Sequence, residues 1–337
     1  MSRDGSSAPA LVARAYPPAK LNLFLELLGR RDDGYHDIDT VMVPIDWRDE
    51  LTVRFRDDDS IHLKVDWVPS ARNIAEQLGV DSDEPFASPL LRIPTDASNL
   101  VYRALDRFRT AYAVDRGFDV ELKKQIPAGA GMGGASSDAA SALQCAARLS
   151  GIALDDPPLL GLAAGIGSDV PFFMGLERGS DLSAARATGR GEHLQRVHLE
   201  CPLFVVVVFP AISLSTAEVY SFAQLPNDAG SPEGLIRKLG REVRSFETDD
   251  LVNRLAEPSK KLAPRIGEVL ESLKQLGVSA CQMTGSGSAC FAITESLEQA
   301  EEVADQMRTA WQPGALIRSA TTVNAPAWIE MITLDET

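Results

Sequence analysis

The stretch Pro127–Asp138, PAGAGMGGASSD, places glycines at 129, 131, 133 and 134 directly ahead of a segment with helical composition. Glycines leave main-chain N–H groups uncovered, and such groups at a helix N-terminus cradle phosphate. The hydroxyls of Ser136 and Ser137 add polar groups there, Ser137 being a candidate contact for a magnesium ion. Gly129, Gly131 and Gly134 also spell GxGxxG, but the preceding strand is amphipathic and no acid-tipped strand follows about twenty residues on, which argues against a dinucleotide site. No Lys-Ser or Lys-Thr follows the last glycine, so a Walker loop is excluded. A plain tight turn needs one glycine at positive φ rather than four.

Two further motifs carry chemistry. In GSDVPFF, Gly167–Phe173, Asp169 stands between a glycine turn and a proline, followed by two aromatics, a setting that partly dries its carboxylate. Lys20, in PPAKLN, sits where a proline pair meets the first strand. Brought together, a lysine and an aspartate make the base and electrostatic clamp that phosphoryl transfer to an alcohol requires. By spacing alone the plainer reading stands beside this one: Asp169 as an N-cap or turn residue, Lys20 as a surface cation. The polar run GRRDDGYHDIDT, Gly29–Thr40, is a solvated hairpin with an Asp-Gly turn, or a stacking face in which Tyr35 and His36 meet a heterocyclic base. A second glycine turn, MTGSGSACF from Met283, reads alone as an ordinary turn whose small residues permit close backbone approach.

The elements that must position these residues begin with strands. Lys20–Leu28 alternates, and Asp49–Arg56 and Ser60–Asp66 alternate around an acidic turn, predicting an early antiparallel sheet. Residues 67–97, with four prolines, read as an excursion holding one short helix. Helix is predicted over 99–112, strand over 118–126, and helix over 136–149 and 159–164. The stretch 182–199, containing GRGE, has strand-like pieces. CPLFVVVVFP then opens a new buried strand, followed by helices at 216–224, 231–244 and 260–276 and strands near 289–294 and 317–323. The predicted domains are 1–196 and 197–337, the final residues packing back on the first.

The chain has 337 residues, 45% hydrophobic and 24% charged, which is globular composition long enough for two cores. Its formal charge of -15 repels phosphate backbones, so no nucleic-acid partner is expected. The longest apolar run, from Leu203, is about half of a bilayer span and contains Pro210, so no membrane partner is expected either. The polar start MSRDGSSAPA lacks a leader layout and reads as a frayed tail, giving a cytoplasmic expectation. Cys145, Cys201, Cys281 and Cys290 stand far apart with no CxxC, which predicts free thiols rather than a metal site or disulfides.

In order, KLNLFLELLGRRDDGYHDIDT, PAGAGMGGASSDAA, GSDVPFF and MTGSGSACF resemble the galactokinase, homoserine, mevalonate and phosphomevalonate kinase superfamily, over nearly the whole chain. The KLNL start followed by GRRDDGYH resembles its branch acting on a cytidine-diphosphate-linked polyol. The resemblance implies an α+β fold: a ribosomal-protein-S5-like ATP-binding domain, a ferredoxin-like C-terminal domain, and the active site between them. It implies ATP- and Mg2+-dependent phosphorylation of the 2-hydroxyl of 4-diphosphocytidyl-2-C-methyl-D-erythritol, in non-mevalonate isoprenoid synthesis. By motif, Asp169 is the implied base, Lys20 its charge partner, and Asn22 a contact near the reacting hydroxyl. Tyr35, His36, Thr216 and Tyr220 hold the cytidine side. Pro127, Gly129, Gly131, Met132, Gly133, Gly134, Ser136 and Ser137 surround the ATP phosphates. Another small-alcohol kinase of the superfamily, or a catalytically silent nucleotide-binding regulator, are the alternatives. Of the cations Lys20, Arg30, Arg31, Lys123 and Lys124, only Lys20 is assigned a role, since lysines on an alternating strand are usually solvated. Four departures stand out: Met132 for leucine, Ser168 for alanine, Ala211 for glycine, and a long 67–97 segment without an assigned role. Ser168 adds a hydroxyl able to bond the carboxylate, and Ala211 makes the positions of Thr216 and Tyr220 less secure.

Overall fold

The computed structural model describes residues 10–175, 183–242, 245–323 and 328–334; the polar tail at 1–9 lies outside them. Strands β1 (Ala10–Ala15) and β2 (Pro18–Arg30) open the chain, and the Asp-Gly turn at 33–34 leads into β3 (His36–Arg48). β4 (Glu50–Phe55) and β5 (Ile61–Trp67) precede the excursion, which holds α1 (Ala71–Leu78) and a short 3-10 turn at Pro85–Ala87. α2 (Leu100–Tyr112) starts where the Asn99 side chain accepts the Val101 N–H, and it buries Val101, Ala104, Leu105 and Phe108 as one stripe. β6 (Phe118–Lys124) runs through the glycine turn into α3 (Gly134–Leu149), whose Ala and Ser side chains let it bury nearly all round. α4 (Pro157–Ile166), α5 (Val170–Met174), β7 (Ser183–Gly189) and β8 (His193–His198) follow.

Next come β9 (Phe204–Phe209), α6 (Thr216–Phe222), α7 (Glu233–Leu239) and β10 (Val252–Asn253). The helix predicted over 260–276 is two helices, α8 (Ala256–Leu262) and α9 (Arg265–Gln275), because Pro264 has no N–H to continue the ladder. β11 (Cys281–Met283), β12 (Cys290–Thr294), α10 (Leu297–Trp311), β13 (Leu316–Thr321) and β14 (Ile329–Leu334) complete the order.

Among the described residues three sheets form, in the orders β14-β1-β4-β6-β5, β10-β2-β3-β7-β8 and β11-β12-β9-β13. In the first, β6 inserts between β4 and β5, antiparallel to one and parallel to the other, so the predicted pairing of the two early alternating strands does not form. Phe118 on β6 stacks on Phe55 of β4 at 5.2 Å, and α2 and α3 share its apolar core. The third sheet is antiparallel in the ferredoxin-like order β13-β9-β12-β11, with α9 and α10 packed into one core with it. Residue 196 falls inside β8, and the third sheet begins at Phe204. Two strands of the second half complete sheets of the first: β14 pairs with β1, and β10 lies parallel to β2.

β2 is the strand that matters most for function. It is buried on both faces from Pro18 to Leu27, and its register on β3 shifts between Asn22 and Phe24. Such a bulge changes which alternate residues face a given side. Before it, Lys20 and Asn22 line the cleft while Ala19 and Leu21 join the core; Leu23, at the bulge, also joins the core, and after it Leu25 lines the cleft and Phe24 the core.

Candidate active site

A cleft of about 520 Å³ lies between the first glycine turn, the tip of the Gly-Ser-Asp corner and the second glycine turn. On its floor the Lys20 ammonium stands 3.6 Å from a carboxylate oxygen of Asp169. Asp169 does occupy the N-cap position of α5, yet its side chain makes no capping bond, and Lys20 is buried rather than solvated. Asn22 does not reach into the cleft freely: its Oδ1 accepts from Lys20 Nζ, and its Nδ2 donates to Thr40 Oγ1 at 2.8 Å. Asn22 therefore aims the ammonium. Burial lowers the Lys20 pKa below the ordinary lysine value, and the Asp169 carboxylate opposes that effect without cancelling it. Ser168 is exposed and makes no hydrogen bond to Asp169 among the described residues, so the added hydroxyl has no hold on the carboxylate.

The two glycine turns are packed against each other. Ala289 N–H donates to Ala130 carbonyl at 3.1 Å, and Lys20 N–H donates to Met132 carbonyl at 2.9 Å. At Gly131, φ is +77° and a Cβ would meet the carbonyl of Thr284 and, at 2.9 Å, the N–H of Gly287. No side chain fits there. The Thr284 hydroxyl accepts the Asn22 N–H at 2.9 Å, tying the second turn to β2. Asn253, buried on β10, donates to the carbonyls of Met283 and Gly285 at 2.7 and 2.9 Å, and Ser259 Oγ donates to Ser286 carbonyl at 3.0 Å. The second turn is thus part of the site rather than an ordinary turn. Pro127, Gly129, Gly131, Met132, Gly133, Gly134 and Ser136 all line the cleft. Ser137 does not: it is fully buried in α3, and the hydroxyl on the wall is that of Ser136.

Lys124 corrects the reading of the strand lysines. It is buried between two buried carboxylates, Asp49 and Asp138, with 2.6 Å to the latter. Burial alone would loosen its proton, but the paired carboxylates outweigh it and hold its pKa above the ordinary value. Burial, together with Asp49 nearby, raises the Asp138 pKa, since two carboxylates share one ammonium. Asp49 also accepts the N–H groups of Gln125 and Ile126 at 2.5 and 2.9 Å. This cluster clamps the entry to the glycine turn, the end of β6 and the first turn of α3 together. Lys123, its neighbour, is half-buried and pairs with Glu50.

At the other end, His36 faces Tyr220 with ring centroids 5.3 Å apart, tilted by 40°. Burial and the Arg30 charge lower the His36 pKa, favouring the neutral ring. Neither Tyr35 nor His36 is among the residues lining the cleft; Tyr35 is 58% exposed and lies under the guanidinium of Arg190, which does line it. Thr216 Oγ1 lies 2.9 Å from Ser286 Oγ, which joins α6 to the second glycine turn. Ala211 takes the left-handed conformation, φ 55°, that glycine adopts more easily, at a cost of about 1–2 kcal/mol. The turn before α6 accordingly keeps the glycine shape, and Thr216 and Tyr220 line the cleft.

The 67–97 segment also has a place. Trp67 Nε1 donates to Leu91 carbonyl at 2.9 Å, and Arg92, Ile93 and Pro94 form a wall beside Asn99 and Leu100 at the glycine-turn end. Sequence reading missed this wall, Arg190, and Asn253; only the GRGE motif carried a visible signal. Cys145, Cys201, Cys281 and Cys290 form no disulfide. Among the described residues no cluster of three or more His, Cys, Asp or Glu could hold a metal, and no helix is long and apolar enough to cross a membrane.

A glycine turn leading into a helix at the cleft, a lysine–aspartate pair beside it and a ferredoxin-like second half are the architecture of a GHMP kinase. Residues 99–175 match the GHMP kinases N terminal domain and residues 231–312 the GHMP kinases C terminal. The chain is 48% identical to 4-diphosphocytidyl-2-C-methyl-D-erythritol kinase of Rhodopirellula baltica, over 94% of this chain and 97% of that one. A crystal structure of 4-(cytidine 5'-diphospho)-2C-methyl-D-erythritol kinase superposes with a TM-score of 0.71 at 30% identity, covering 93% of this chain and 100% of that one. The homoserine kinase of Cytophaga hutchinsonii shares the fold, with a TM-score of 0.64 at 17% identity, covering 98% and 100%. The chain belongs to the 4-diphosphocytidyl-2-C-methyl-D-erythritol kinase family.

Proposed function

We propose that the protein transfers the γ-phosphoryl group of ATP to the 2-hydroxyl of 4-diphosphocytidyl-2-C-methyl-D-erythritol. The observation that carries this reading is the Lys20–Asp169 pair, 3.6 Å apart, set between a phosphate cradle and an aromatic cleft end. The nucleotide phosphates lie along the N–H groups of the turn at 129–134, with the α3 dipole behind them. The acceptor enters from the Tyr35, His36 and Tyr220 side, so its hydroxyl meets Asp169. Asp169 takes the hydroxyl proton as the oxygen attacks phosphorus, and the Lys20 ammonium, held by Asn22, balances charge on the moving group.

The donor set suits a magnesium ion carried in on the phosphates rather than caged by protein: Ser136 offers a hydroxyl on the wall, and Mg2+ commonly takes one or two protein oxygens. Ser136 would hold it, and the ion would supply charge neutralisation between the phosphates.

ATP consumption measured with the cytidine-linked polyol, homoserine and mevalonate tests the assignment. Turnover with the first alone is expected; turnover with a free alcohol alone would move the protein to a sibling enzyme, and none at all would support a silent regulator. Tyr35→Ala raises KM for the cytidine-linked acceptor by about fivefold or more, from loss of an aromatic contact worth roughly 1 kcal/mol, and leaves KM for ATP nearly unchanged. Equal losses for both substrates would remove Tyr35 from the acceptor side.

The buried ammonium also sets the alkaline behaviour. Lys20 loses its proton at lower pH than an ordinary lysine, whose value is about 10.4, so kcat/KM is full while it is charged and falls as pH rises through its lowered pKa. A pH–rate profile that stays flat up to the ordinary lysine range would rule out a functional ammonium there.

A further inference from the structure

We propose that Arg190 reads the diphosphate of the acceptor, so that preference for a nucleoside-diphosphate-linked alcohol over a free one depends on this guanidinium. The inference rests on the acceptor proposed above and adds a contact to it. A diphosphate brings negative charge into a protein of formal charge -15, so local cations must receive it. Among the described residues, four cationic side chains line the cleft: Lys20, Arg92, Lys124 and Arg190. Two of the others are paired with carboxylates, and the third is held by main-chain carbonyls. Lys20 serves Asn22 and Asp169, Lys124 is locked between Asp49 and Asp138, and Arg92 donates to the carbonyls of Phe86 and Ala87 at the far, glycine-turn end.

Arg190 stands at the acceptor end instead. Its guanidinium carbon is 5.2 Å from the Tyr35 ring centroid, within the range of a cation–π contact. The nearby carboxylate of Glu192 is 3.7 Å from Nε, too long for a hydrogen bond, and accepts the Arg190 main-chain N–H at 2.5 Å. That bond fixes the backbone of the hairpin turn between β7 and β8. Gly191 there has φ +117°, and a Cβ on it would lie 3.7 Å from Ser168 Cβ, so the turn seats directly on the corner that presents Asp169. The GRGE motif therefore delivers one guanidinium between the base-stacking tyrosine and the reacting corner, which is where a diphosphate joining a cytosine nucleoside to an alcohol must pass. A planar guanidinium suits this, forming paired hydrogen bonds to phosphate oxygens while stacking on a ring.

The test uses the full chain with CDP and cytidine as probes, measured by calorimetric titration, alongside steady-state kinetics. Wild type is expected to bind CDP more tightly than cytidine. Arg190→Ala should lose about tenfold to a hundredfold in CDP affinity, the range for charge-assisted hydrogen bonds, with a much smaller loss for cytidine and an unchanged KM for ATP. Arg190→Lys should fall between the two, keeping charge without the planar fork. An unchanged ratio of CDP to cytidine affinity in Arg190→Ala, with wild type active on the cytidine-linked polyol, would overturn the inference alone. Equal losses for both probes would also overturn it, leaving only support of the Tyr35 ring. Wild type that binds neither probe and phosphorylates no cytidine-linked alcohol would overturn the acceptor reading, and this inference with it.

Discussion

Asp169→Asn lowers turnover by roughly two to four powers of ten, the range for removal of a general base, while acceptor and nucleotide binding persist. Asparagine keeps the size and polarity of the side chain but cannot accept the hydroxyl proton as a carboxylate does. The fold should tolerate it, because Asp169 is part-exposed and its side chain makes no capping bond to α5. The Lys20 ammonium loses its counter-charge in the variant but keeps its bond to Asn22 Oδ1. Single-turnover kinetics with saturating substrates separate the two effects: phosphoryl transfer slows and dissociation constants move by little. Wild-type transfer rates in Asp169→Asn would show that the proton leaves by another route.

Asp49→Ala is expected to cost about 3–5 kcal/mol of unfolding free energy, the range for removing one partner from a buried ion pair. Asp49 is fully buried, pairs with Lys124, and satisfies two N–H groups at the end of β6. Alanine leaves both donors without an acceptor and asks Asp138 alone to balance the ammonium. Asp138→Asn should cost less, since it leaves a one-to-one Lys124–Asp49 pair and relieves the crowding of two carboxylates. A shift in denaturant midpoint with an unchanged slope measures both. Because this cluster anchors the glycine turn, KM for the nucleotide should rise in Asp49→Ala even where the protein is fully folded. A loss below about 1 kcal/mol would mean that water or backbone rearrangement replaces the carboxylate, and that the clamp is incidental.

Local chemistry was readable wherever neighbouring residues act on one another. Glycines ahead of helical composition predict the turn into α3, alternation predicts β2 and β6, a continuous apolar run predicts β9, and an Asp-Gly pair predicts the β2–β3 turn, since each depends on backbone geometry within a few residues. Pairing was not readable. The two early alternating strands look like hairpin partners, yet β6 comes between them, because aromatic contact and apolar burial against α2 and α3 are decided by residues far along the chain.

For the site, residue types came from the sequence and their states from the tertiary structure. The amino-acid order determined that an acid, a lysine, two glycine turns and an adjacent tyrosine and histidine were available, and the motifs sufficed for the family. Tertiary packing alone decided that Lys20 is buried against Asp169, that Lys124 is a structural cation, and that Ser136 rather than Ser137 faces the cleft. The physical reason is that burial and charge pairing are properties of surroundings assembled from distant segments, and an alternating strand or a helix start looks the same in sequence whichever face the rest of the chain covers.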